Sequence, residues 1–134
     1  MLCSIHHGRV KVYTEGQGPI VHLVSTVQSV QEAGLPFAFS DGHSRVAFSE
    51  FYDDVKELDR VDWQIMKERY WSDTISDNDR SRRRQAEFLV HNFFPWELIH
   101  SIGVINQRIK ARVEEALNDA AHKPLVNVHG DWYY

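Results

Sequence analysis

The apolar positions fall into short runs with two different periods. Residues 19–24 (Pro-Ile-Val-His-Leu-Val) are apolar almost throughout and read as a largely buried strand, entered through the turn signal Gly16-Gln17-Gly18-Pro19. Ser25 is placed to cap a following helix. Val27, Val30 and Gln31 then recur at helical spacing, and Gly34 with Pro36 ends the run. Phe37 to Phe39 reads as a second short strand, closed by the turn Ser40-Asp41-Gly42-His43. Between Glu50 and Trp63, six acids (Glu50, Asp53, Asp54, Glu57, Asp59, Asp62) alternate with Phe51, Val55 and Leu58 at i, i+4 and i+7. That spacing predicts an amphipathic helical stretch.

Residues 72–84 (Ser-Asp-Thr-Ile-Ser-Asp-Asn-Asp-Arg-Ser-Arg-Arg-Arg) are the least apolar stretch and predict a long, exposed, mobile loop, with Ile75 its one clear hydrophobe. The sharpest segment follows. In Gln85–Val90, Ala86, Phe88 and Val90 point to one face of a strand, and Gln85, Glu87 and Leu89 to the other. The apolar alternation predicts that this strand lies inside a sheet and that Glu87 faces a cleft. Residues 93–99 read as a turn or short helix starting at Pro95. Ser101–Ile105 is a strand, and a helix runs from about Gln107 to Ala121 on Ile109, Val113, Ala116 and Leu117. Leu125, Val126 and Val128 form a last strand running into Asp131-Trp132-Tyr133-Tyr134. Strands and helices mix without regular βαβ alternation, which predicts an α+β fold.

Composition narrows the picture. A chain of 134 residues with 43% hydrophobic and 12% aromatic content has enough to build a core, and its length suits a single domain spanning 1–134. The net charge of -4, from 15 basic and 19 acidic residues, excludes a uniformly basic nucleic-acid coat but leaves room for a local basic patch. Cys3 is alone, so an internal disulfide is excluded and a reducing, cytoplasmic compartment is expected. No apolar run approaches the ~18 residues of a membrane span, so no membrane association is expected. At the start of the chain, Leu2 and Ile5 fit either a first strand that begins at once or the interior of a longer protein.

Three groups of residues could carry chemistry. Glu87 sits among apolar neighbours and is expensive to bury unless paired. It is either a solvated strand-face acid meeting Arg84 or a carboxylate held rigidly at a pocket, able to stabilise a cationic sugar transition state. Arg80, Arg82, Arg83 and Arg84 form a positive spot, either solvated or in contact with the phosphates of a nucleic acid, with Tyr70 and Trp71 near enough to stack on bases. Eight histidines are scattered without zinc-type spacing, so no metal is expected. His43, in its Gly-His turn, is either a surface histidine or a site residue. Nothing matches a Rossmann fingerprint, a phosphate-binding loop or a Gly-x-Ser-x-Gly elbow.

The run Arg83-Arg84-Gln85-Ala86-Glu87-Phe88-Leu89-Val90, followed by Phe94-Pro95-Trp96-Glu97-Leu98-Ile99, resembles the DarT-type DNA ADP-ribosyltransferase toxins. Met1-Leu2, Pro19-Ile20-Val21-His22-Leu23, Ser40-Asp41-Gly42-His43 and Asp131-Trp132-Tyr133-Tyr134 agree with it in order, so the resemblance covers the whole chain. It implies a mixed or antiparallel ADP-ribosyltransferase-like sheet with flanking helices. It further implies transfer of ADP-ribose from NAD⁺, as substrate, to a base of single-stranded DNA, thymidine rather than guanosine, by the toxin of a pair whose antitoxin is a macrodomain. Glu87 matches the family's catalytic glutamate, His43 a histidine near the active site, and the arginine-rich segment the substrate-recognition loop. The family's His-x-Thr-like NAD⁺-binding segment and catalytic arginine have no counterpart here. The chain therefore reads as the C-terminal part of such an enzyme, with little activity of its own. The competing reading is a non-catalytic module that binds single-stranded nucleic acid. A third, an acidic 50–62 face meeting a basic partner, ranks last.

Overall fold

The protein is described here by a computed structural model covering residues 2–68 and 70–134. Its elements, in chain order, are α1 (Leu2–His6), β1 (His22–Val24), α2 (Val27–Glu32), β2 (Phe37–Ser40), β3 (Phe51–Tyr52), a 3₁₀ turn (Val55–Arg60), α3 (Trp63–Met66), α4 (Arg80–Arg83) and β4 (Phe88–Val90). A 3₁₀ turn (Trp96–Leu98), β5 (Ser101–Val104), α5 (Gln107–Ala116), β6 (Leu125–Val128) and a last 3₁₀ turn (Gly130–Trp132) complete it. The α+β expectation holds. The elements group into two compact units, Met1–Thr26 with Pro95–Tyr134, and Val27–Phe94.

In the first unit, β1 runs antiparallel to β5, pairing His22 with Gly103 and Val24 with Ser101. β5 runs parallel to β6, pairing Ile102 with Val126. A parallel pair needs a crossover, and α5 supplies it. Asn106 starts that helix by accepting the Ile109 N–H on its side-chain oxygen at 3.0 Å, satisfying one of the donors every helix N-terminus leaves open. The helix stops at Ala116, short of the expected Ala121, because Asn118 and Asp119 favour the turns that bring the chain back to β6. Ile99, Ile102, Val104, Ile109 and Val126 are buried and form the core. The chain opens as helix α1 rather than as a strand. Ser25, expected to cap a helix, donates its hydroxyl to the Leu98 carbonyl at 2.6 Å, and α2 begins two residues later.

In the second unit the sheet order is β3-β2-β4, both pairs antiparallel. One face carries the stacked rings of Phe37, Phe39 and Phe88, with Phe37 and Phe88 centred 5.0 Å apart and Tyr52 against Phe39 at 5.3 Å. The end of α2 follows the predicted stop signal. Gly34 takes φ +64, its N–H donates to Gln31, and the Leu35 N–H reaches back to Val30. The amphipathic stretch from Glu50 is corrected. Phe51 joins the sheet as β3, and only residues 55–60 wind into a 3₁₀ turn, started by Asp54, whose carboxylate accepts the Lys56 N–H at 3.0 Å. Pairing with β2 outweighs the helical spacing there.

The C-terminal aromatics dictate one residue of β5. A Cβ on Gly103 would lie 2.4 Å from Cζ3 of Trp132, so the ring packs where only glycine leaves room. Gly103→Ala is expected to destabilise the protein by about 1–3 kcal/mol, as overpacking does. Gly18→Ala, with open space at its Cβ, serves as the neutral control. Equal urea midpoints for the two variants would contradict the packing argument.

Candidate active site

Ser40 is the last residue of β2 and fully buried. Its N–H donates to the Glu87 carbonyl at 2.9 Å, and its Oγ accepts the Glu87 N–H at 3.2 Å. Both polar groups of the Glu87 main chain therefore end on one residue. The predicted alternation is seen in burial: Ala86, Phe88 and Val90 are half-buried, and Gln85, Glu87 and Leu89 exposed. Two details differ from expectation. The strand proper begins at Phe88, and it lies at the sheet edge, with β2 its partner among the described residues. Glu87 thus stands just before an edge strand, exposed to solvent, and its carboxylate has no hydrogen bond or ion pair among the described residues.

His43 lies in the turn after β2 and is half-buried. Its N–H donates to the Arg82 carbonyl at 2.9 Å, its carbonyl accepts from Ser49 Oγ at 2.8 Å, and its Nδ1 accepts the Arg45 N–H at 3.4 Å. The turn is therefore held at the backbone from both directions.

The arginine run is not the free loop that its composition suggests. Residues 80–83 form α4, and the side chains of Arg80, Arg82 and Arg83 are only 12–26% exposed. Arg82 binds Asp79 with two parallel hydrogen bonds of 2.7 Å and reaches Asp41 at 2.9 Å and Ser49 at 3.3 Å. Arg83 pairs with Asp77 at 2.5 Å and with Asp62, while Arg80 pairs with Glu68. Arg84 donates to the carbonyls of Ile65 and Glu68 and lies 4.3 Å above the Trp71 ring. Three guanidinium groups thus meet five carboxylates, which cancels the positive spot read from the run itself. The physical reason is distance along the chain: Asp41 and Asp62 arrive from segments that a linear reading does not place nearby.

These contacts shift the acids. The Arg83 hydrogen bond holds the Asp77 carboxyl below its ordinary value of 3.8, and the Arg82 hydrogen bond does the same for Asp79. In return, Asp79 and Asp41 keep Arg82 firmly protonated, and Asp77 does so for Arg83. The sequence reading missed Ser40, Asp41 and Asp79. Only Asp79 left a local signal, its i,i+3 spacing to Arg82. Among the described residues no group of three His, Cys, Asp or Glu side chains is arranged to hold a metal ion, and no helix is long and apolar enough to cross a membrane.

The arrangement is that of a small mixed-sheet protein presenting an unneutralised carboxylate at the start of an edge strand, beside a turn that carries a histidine. The chain belongs to the family described as ssDNA thymidine ADP-ribosyltransferase, DarT, whose model matches residues 1–134. It is 42% identical over 136 residues to a DNA ADP-ribosyl transferase of Thermus aquaticus, covering 100% of this chain and 58% of that protein. It is 40% identical to the DNA ADP-ribosyl transferase of Thermus sp. 2.9, again over all of this chain and 63% of the relative. Solved structures of Thermus sp. 2.9 DarT in complex with NAD⁺ and with ADP-ribosylated ssDNA each match 99% of this chain with a TM-score of 0.92, at 39% identity. The chain covers 66% and 63% of those two solved chains, so it spans about three fifths of its relatives' length.

Two outcomes follow from the arginine network. Arg82→Ala is expected to cost about 2 kcal/mol, the scale of a charged hydrogen bond lost with its partners left behind, and Arg82→Lys to recover little because lysine cannot bond two oxygens in parallel. Urea unfolding tests this, and full recovery by lysine would contradict it. Because Asp77 and Asp79 bind protons less readily folded than unfolded, the unfolded chain takes up protons first. Their contribution is complete above the ordinary value of 3.8 and is lost as the pH falls below it. Asp79→Asn should flatten that acid-side loss of stability.

Proposed function

We propose that this chain supplies the glutamate-bearing part of an enzyme that transfers ADP-ribose from NAD⁺ to a base of single-stranded DNA, thymidine in preference to guanosine, with release of nicotinamide. The observation that carries the reading is Glu87: an unpaired carboxylate on a residue whose main chain is bonded at both ends. Asp41, Asp77 and Asp79 of the same unit are all paired with arginine, and Glu87 is not. The family description and the Thermus sp. 2.9 complexes with NAD⁺ and with ADP-ribosylated ssDNA support the choice of reaction and substrates. In this reading residues 1–134 act as one functional domain within the reading frame that contains them.

Breaking the bond between nicotinamide and ribose builds positive charge on the sugar, as in glycoside hydrolysis. A fixed carboxylate stabilises that charge where it develops and accepts a hydrogen bond from a ribose hydroxyl. The DNA base then bonds to the ribose carbon that nicotinamide leaves, and the base's proton passes to solvent. His43 stands by as the second site residue. A base must leave its stack to be reached, which calls for stacking surfaces. Tyr70 and Trp71 are exposed, at 80% and 47%, and the Arg84 guanidinium lies over the Trp71 ring. Arg80, Arg82, Arg83 and Arg84 thus serve DNA binding through the shape of the segment they hold, with Arg84 closest to a base platform. The family resemblance further supports a cytoplasmic toxin role, with a macrodomain antitoxin removing the modification.

The exposed rings also favour a second reading, a module that binds single-stranded nucleic acid without catalysis. NAD⁺ consumption in the presence of an oligonucleotide separates the two. In the full reading frame, Glu87→Gln is expected to lower kcat by about 10²–10³ with a smaller change in NAD⁺ affinity. Since the Glu87 side chain is exposed and unpaired, folding stability should change by no more than about 0.5 kcal/mol. Mass detection of the modified oligonucleotide, with thermal unfolding alongside, reads both. A folded Glu87→Gln protein of near-normal turnover would remove Glu87 from the chemistry.

A further inference from the structure

We propose that Ser40 is a positioning residue of the transferase site: its buried hydroxyl ties the main chain of Glu87 to the peptide unit that carries His43. The inference rests on the reading of Glu87 and His43 given above. Ser40 Oγ makes two hydrogen bonds of opposite sense. It accepts the Glu87 N–H at 3.2 Å and donates its own proton to the Gly42 carbonyl at 2.6 Å. That carbonyl belongs to the peptide linking Gly42 to His43, and the N–H of the same peptide donates to the Arg82 carbonyl at 2.9 Å. One hydroxyl therefore joins the two places from which the site residues project.

The burial makes the link stiff. Ser40 is 0% exposed and Gly42 is buried, so water does not replace either bond when the hydroxyl is removed. Gly42 is confined as well, since a Cβ there would lie 2.4 Å from Nη1 of Arg82 and the turn lies against that side chain. A buried hydroxyl with its donor and acceptor both engaged fixes geometry more than it adds stability. Transfer chemistry depends on such geometry, because a displacement of about 1 Å in a reacting group costs on the order of 10²-fold in rate.

The test uses the full reading frame containing this chain, with NAD⁺ and a thymidine-containing single-stranded oligonucleotide, and compares Ser40→Ala, Ser40→Cys and Ser40→Thr. Ser40→Ala is expected to lower kcat by about 10- to 100-fold with KM for NAD⁺ within about twofold. Ser40→Thr keeps the hydroxyl and should restore most of kcat. Ser40→Cys keeps the size but weakens both bonds, and it replaces the alanine variant should that one fail to fold. Amide hydrogen exchange in the same proteins should quicken at Glu87 and His43 together on loss of the hydroxyl. Unchanged kcat, a fall that threonine does not restore, or faster exchange at Glu87 with His43 unmoved would each overturn the proposal. Transfer that survives Glu87→Gln, or no transfer by the wild-type protein, would instead overturn the functional reading, and the exchange data would still decide the role of Ser40.

Discussion

The Arg82 guanidinium binds Asp79, three residues before it, and Asp41, forty-one residues before it, in the same plane of hydrogen bonds. Its carbonyl meanwhile receives the N–H of His43, and its side chain lies against Gly42 so closely that a Cβ there would force it to move. The turn after β2 and helix α4 are thereby locked to one another, and β4 follows α4 after residues 84–87. Without this contact the second unit would hold a three-stranded sheet of very short strands and a polar segment with little to bury. A two-residue β3 and a three-residue β4 are marginal alone, so the ion pairs carry much of the ordering there. The desolvation of the guanidinium is offset because every one of its charge partners is present.

The first unit solves a similar problem with rings rather than charges. Trp132 lies over Gly103 and stacks on His129 at 4.0 Å, while the edge of His22 meets both Trp132 and Tyr133. The Tyr133 hydroxyl donates to the Ile20 carbonyl at 2.8 Å, and the Tyr134 N–H to Gln17 at 3.0 Å. The last residues of the chain are thus bound to the segment leading into β1. Aromatic side chains suit this work because they bury a large area and still offer a polar edge to a carbonyl.

Among the described residues of the second unit, the acids divide into those paired with arginine and those left unpaired. Asp41, Asp77 and Asp79 are each paired with an arginine, which reduces the repulsion they would exert on an anion. The Glu87 carboxylate has no such partner among the described residues, and on the proposed reading it is the group left to stabilise a developing sugar cation. On the proposed reading, a site that binds a polyanion and stabilises a cation would separate those two roles by pairing rather than by burial.

What the sequence determined alone was periodic and local. The alternation of Ala86, Phe88 and Val90 against Gln85, Glu87 and Leu89, the stop at Gly34, the turn start at Pro95 and strands within 19–24, 37–39, 101–105 and 125–128 were all legible to within a few residues, because each depends on neighbours within a few positions. Glu87 and His43 were legible as candidates through an ordered set of motifs. The tertiary structure decided the rest. The arginine run reads as a free positive loop until Asp41 and Asp62 are brought to it, and Phe51 reads as helical until β2 offers it a partner. Ser40 reads as an ordinary turn residue until its hydroxyl is seen to bond a residue forty-seven positions away. Long-range pairing depends on which segments meet, and periodicity along one chain carries no record of that.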